Sequence, residues 1–140
     1  MASKIRTVGV ERVHAATYLR KGVEFCEAAA DANSAQRYDA TVLLAVHAGI
    51  SASDAICIGL GTRKCADSHD RAADLLEEVG AHSTEFADQA KRLRTVLALK
   101  NSIEYENKRA STKEAEVSLR RCESVISWAE NQLARAKLIP

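Results

Sequence analysis

The chain has 140 residues, 46% apolar and 28% charged, with a single proline and a net charge of +1. That length suits one domain, residues 1–140, with a real core, and the even spread of charge excludes a disordered chain. A net charge near zero excludes a global pull towards nucleic acid or membrane, so any such site must be a local patch.

No apolar run is expected to reach the length that spans a bilayer, and the MASKIRTVGVER start is too short in apolar residues for a signal peptide. The four cysteines, Cys26, Cys57, Cys65 and Cys122, are widely spaced with no CxxC pair. They read as small buried hydrophobes, with no metal, no cofactor and no disulfide expected, and the expected location is cytoplasmic.

Helical periodicity recurs along the chain, and no segment alternates as a strand does. A first helix is expected over about residues 8 to 32, with Val10, His14, Tyr18, Phe25, Ala28 and Ala32 near one stripe. Asn33 and Gln36 read as a capping box for a second helix over about 35 to 59, stopped at Gly59-Leu60-Gly61. This helix is apolar nearly all round, so it should be central or lie at a dimer interface. Residues 62–68, TRKCADS, read as a polar loop. Asp67 or Ser68 then caps a short helix over about 68 to 79 that stops at Gly80. Ser83 caps a fourth helix over about 84 to 108, and Ser111 with Glu114 forms a capping box opening a fifth. Short connections between such helices predict an all-α, up-and-down bundle of about five helices.

Three groups of residues carry candidate chemistry. His47, Ser51 and Asp54 stand at i, i+4 and i+7 of the second helix and share a face. Asp54 lies about 10 Å further along the axis than His47, too far to orient the imidazole as a hydrolase triad requires. The set reads as a polar seam, with Lys100 the expected partner of Asp54. The second group is GTRKCADSHD, residues 61–70, followed by Arg71. Arg63 offers a phosphate-binding fork and His69 a group that moves protons near neutral pH. The third is LALKNSIEYENKR, residues 97–109, with KRLR at 91–94 before it. Its Lys100, Asn101, Tyr105, Lys108 and Arg109 suggest an RNA-facing strip, against which Glu104, Glu106 and Glu114 count.

Taken together, several segments resemble the HEPN domain family. They are Tyr38-Asp39-Ala40, AVHAGISASDA, SHDRAADLL, ALKNSIEYE and CESVISWAENQL, and the resemblance spans roughly residues 12 to 137. It implies a helical bundle, a homodimer, an association with RNA or nucleotides, and a nucleotidyltransferase or antitoxin as partner. Active members of the family carry an arginine separated from a histidine by four to six residues. Here Lys100 stands at the arginine and Tyr105 at the histidine, a degenerate motif: lysine lacks the planar fork, and tyrosine is a poor base at neutral pH.

The reading that follows is a HEPN-like binding module for RNA, a nucleotide or a partner protein, without full ribonuclease activity. Its ligand-binding residues would be His47, Ser51, Asp54, Arg71, Lys100, Asn101 and Tyr105, with a basic strip near Arg63, Arg71, Lys100 and Lys108. Two alternatives stand beside it. One is a metal-independent endoribonuclease of toxin type with a displaced Arg63/His69 catalytic site. The other is a bundle that binds only another protein.

Overall fold

The computed structural model describes residues 4–81 and 83–140. Its elements are β1 (Thr7–Gly9), α1 (Ala15–Ser34), α2 (Tyr38–Gly61), β2 (Arg63–Cys65), α3 (Ala72–Val79), α4 (Thr84–Tyr105) and α5 (Thr112–Arg135). Short 3-10 turns, Arg12–His14 and His69–Arg71, lead into α1 and α3. The fold is an all-α bundle of five helices.

The central element is α2. It is buried along almost its whole length, from Thr41 to Gly59, because α1, α3, α4 and α5 all pack against it. Its apolar surface is therefore covered within one chain, which removes that surface as an argument for a dimer. Contrary to the expectation from sequence, α2 is long and apolar enough to cross a membrane by length and composition. With 78% of the qualifying window buried inside the bundle, it is a core helix. The core is filled by its Val42, Val46 and Ile56 together with Leu75, Leu76, Leu93, Val125 and Leu133 of the surrounding helices. At the α4–α5 contact Phe86 meets Trp128 edge to face at 4.9 Å, and the indole N–H donates to Glu85 Oε1 at 2.6 Å.

Several boundaries differ from the sequence reading. The first helix starts at Ala15, because residues 7–9 instead pair antiparallel with β2 in the register Thr7–Cys65, Val8–Lys64 and Gly9–Arg63. This three-residue ribbon is too short to show alternation in sequence. Asn33 lies inside the last turn of α1, and the chain reverses through Gln36 at φ 61°, so no capping box forms there. Gly59 does not stop α2, which runs on to Gly61 and ends at Thr62 in the left-handed region. Ser83 occupies the expected position ahead of α4 but makes no side-chain cap, and α4 ends at Tyr105. Asp67 does not cap α3; its carboxylate accepts from the backbone N–H groups of Ser68 and Arg6, tying the loop to the N-terminal segment. The Ser111–Glu114 capping box forms as expected, with both reciprocal bonds present at 3.1 and 2.9 Å. Asp39 accepts from the Ala110 N–H at 2.7 Å and from Arg109 at 3.1 Å, which pins the α4–α5 loop to the start of α2.

Candidate functional site

Two helical faces and one covering segment build a polar surface along the α1–α2 pair. On α2 the face carries His47, Ser51 and Asp54. On α1, Tyr18, Lys21 and Phe25 recur at i, i+3 and i+7, so they too share a side. The helices run antiparallel, which brings Phe25 beside His47 at 5.6 Å between ring centroids and Tyr18 and Lys21 to the Asp54 end. The segment from β2 to the 3-10 turn then crosses the pair, anchored by the ribbon to β1.

At the first end, His69 meets His47 edge to face at 6.2 Å. Burial, then the Lys100 ammonium, then His47 lower the His69 pKa, against the opposing pull of Asp70 and Glu104. The imidazole is therefore neutral at pH 7, with one ring nitrogen free of a proton. Lys100 is held by Glu104 at 3.2 Å with only 14% of its side chain exposed. The Asn101 amide donates to Asp70 Oδ1 at 3.1 Å, fastening α4 to the 3-10 turn that carries His69. Lys100, His47 and His69 thus come from α4, α2 and the turn before α3, and tertiary packing alone puts them side by side.

At the other end, Asp54 is buried and faces Lys64 at 4.0 Å, the outer limit of an ion pair. Burial pushes its carboxyl up to about 6, and Lys64 and Lys21 only partly offset that rise. Both ammonium groups lie over the Tyr18 ring, Lys21 at 4.8 Å and Lys64 at 5.1 Å from its centroid. Lys100, the partner expected from sequence, is occupied elsewhere. Ser51 lies between the two ends, half-buried, and makes no hydrogen bond with a described residue. His47, Ser51 and Asp54 form a polar seam whose ends face different neighbours, and Asp54 faces a lysine where a triad would need the imidazole.

No protein-family model matches this chain, and no curated protein matches it either. The site therefore stands on its own geometry.

That geometry divides the residues singled out from sequence. His47, His69, Lys100 and Asn101 come together. Arg63 and His69 are not brought together as a catalytic pair: alternation along β2 turns Arg63 towards α3, where it pairs with Glu78 at 3.1 Å. Arg71 bonds Asp74 at 2.9 Å, and Tyr105 is 77% exposed, with Lys100 Nζ 5.9 Å from its ring centroid. The expected basic strip is neutralised by carboxylates at every member, Arg63 by Glu78, Arg71 by Asp74, Lys100 by Glu104 and Lys108 by Glu114. Tyr18 and Lys21 were missed as site residues, and Lys64, one of the 61–70 group, was not expected opposite Asp54. The i, i+3, i+7 spacing on α1 was a signal for Tyr18 and Lys21, but only the β1–β2 register places Lys64 over Asp54. Among the described residues no group of three or more histidine, cysteine or acidic side chains is arranged to hold a metal. Cys26 and Cys122, far apart in sequence, bring their sulfurs to 3.5 Å across α1 and α5.

Proposed function

We propose that the chain is a HEPN-like binding module that holds the phosphate of RNA or of a nucleotide at the His47–His69–Lys100 cleft. The observation that supports this reading is the convergence of two imidazoles and an ammonium on one solvent-accessible surface. Lys100 supplies positive charge and the imidazoles supply N–H donors to an anion, and Phe25 beside His47 offers a ring face to a base. Asp70 is drawn towards Asn101, and Glu104 towards Lys100, so an incoming phosphate competes with carboxylates already in place. That competition limits affinity and makes binding depend on salt.

The endoribonuclease alternative shifts from Arg63/His69 to His47/His69, favoured by the edge-to-face contact of the two rings. In that chemistry neutral His69 takes the proton of a ribose 2′-hydroxyl, which attacks the adjacent phosphorus. His47 passes a proton to the departing 5′-oxygen, and Lys100 stabilises the phosphorane charge, leaving a 2′,3′-cyclic phosphate. Tyr105 and Arg63 have no role in it.

One experiment separates the readings: mixed-sequence RNA and a labelled nucleotide, each with and without chelator, against the parent protein, His69→Ala, Lys100→Ala and Arg63→Ala. The binding module predicts salt-sensitive binding without cleavage, weakened about tenfold by His69→Ala or Lys100→Ala and unchanged by Arg63→Ala. Chelator-resistant cleavage lost in His69→Ala makes the protein an enzyme. Absence of both binding and cleavage refutes the proposal. A homodimer belongs to the same reading, and light scattering at tens of micromolar tests it.

A further inference from the structure

The strip expected to be basic is neutralised, yet free cations gather on a different surface. Between α4 and α5 three adjoining hollows of about 300, 400 and 510 Å³ share lining residues, Arg92 and Arg121 between the first two, Thr95 and Val117 with the third. They form one groove along roughly three turns of α4. Its two halves differ in chemistry. One half presents Lys91, Arg92 and Arg121, none of which has a carboxylate within ion-pair distance among the described residues, beside Arg120, which pairs with Glu116. Asp88 is the acidic group in that half. The other half is lined by Ala98, Leu99 and Val117, edged by Lys113 and Glu114.

We infer that this groove docks an acidic amphipathic segment of another protein, a helix with carboxylates along one half and aliphatic side chains along the other. Charge complementarity selects the occupant. Three unpaired cations in two facing rows fit carboxylates spaced a helical turn apart, and Leu99 with Val117 gives the aliphatic half a surface to bury. Single-stranded RNA fits less well. The groove contains no aromatic side chain on which a base stacks, and its aliphatic half gives nothing to a sugar-phosphate backbone. The groove lies on the α4–α5 face, whereas the histidine cleft is built on the α1–α2 pair, so this inference does not depend on the cleft's ligand.

The test is fluorescence anisotropy with a labelled synthetic helix of about fourteen residues, roughly the length that spans such a groove. Glutamates fill one half and leucines recur at i, i+3 and i+4 in the other. A lysine-for-glutamate version and labelled oligouridylate run alongside. The expected result is binding of the acidic helix that added salt weakens and that Arg92→Glu/Arg121→Glu reduces about tenfold or more. Leu99→Asp reduces it too, and Lys100→Ala leaves it unchanged. Lys91→Glu/Arg121→Glu, both at exposed positions, repeats the charge test should the Arg92 variant lose helicity by circular dichroism. Failure of the acidic helix to bind, equal binding of the lysine version, or oligouridylate displacing the helix from the groove would each overturn the inference.

Discussion

Replacing Asp54 by asparagine should stabilise this protein at neutral pH and leave it unchanged in acid. The carboxyl is buried, and its cations, Lys64 at 4.0 Å and the Lys21 ammonium, compensate only in part, so its pKa rises from 3.8 to about 6. The sign follows from linkage. Between pH 3.8 and 6 the folded state binds more protons at this site than the unfolded state, so stability falls as pH rises through that window and levels off above it. A shift of about two units corresponds to roughly 3 kcal/mol of stability lost by pH 7.5. Asparagine keeps the volume and cannot ionise. Lys64 is not stranded by the change, because 29% of its side chain is exposed and it keeps the Tyr18 ring. For a domain of this size the gain amounts to about 6 to 12 °C in melting temperature. Thermal unfolding of both proteins from pH 3 to 7.5 measures it. The expected result is curves that nearly coincide at pH 3, separate as pH rises from 3.8 to 6, and run parallel above that. A constant difference across pH, or an asparagine variant that melts lower at pH 7.5, would show that the Lys64 pair outweighs burial and that the reasoning is wrong.

Gly80→Ala should destabilise by about 1 to 3 kcal/mol, read as a lowered melting temperature, because a Cβ there would lie 2.3 to 2.6 Å from the Phe86 side chain, including its own Cβ. The backbone at Gly80 is ordinary αR at φ −75°, so left-handed strain has no part in the effect. For the cleft, phosphate-ligand affinity should strengthen as pH falls below the usual imidazole pKa, since His69 gains charge there; titration of binding at pH 7.5, 6.5 and 5.5 reads the trend, which His69→Ala should flatten. Cys57 is 1% exposed with its thiol pushed up to about 12 by burial, so iodoacetamide should modify it only after unfolding, and mass spectrometry of the native protein should find Cys26 and Cys65 labelled first.

The helices were legible in sequence where one physical signal dominated. The apolar run of α2 marked it as the central element, and Ser111 with Glu114 fixed the start of α5, because a capping box needs only residues three apart. Glycine misled where its role was packing. The expected Gly59-Leu60-Gly61 stop does end α2, at Gly61, but Gly59 itself sits inside the helix, where a Cβ would come within 2.7 Å of Leu133 and 2.9 Å of Leu138. Crowding and φ are both reasons for glycine, and sequence does not separate them. The β1–β2 ribbon was invisible for a related reason: three residues on each side give no periodicity, and its pairs, Thr7–Cys65, Val8–Lys64 and Gly9–Arg63, join residues far apart in the chain.

Sequence by itself determined the all-α class, the helix count and the sharing of one face by His47, Ser51 and Asp54, since all three follow from local periodicity. Tertiary structure decided which partner each polar group received. It gave Asp54 to Lys64, Arg63 to Glu78, Lys100 to Glu104 and the side of His69, and among the described residues it left Lys91, Arg92 and Arg121 without a carboxylate at ion-pair distance. A charge in a sequence has only neighbours at fixed helical offsets, whereas in the fold its field is set by every element packed within a few ångströms, and those elements come from the whole length of the chain.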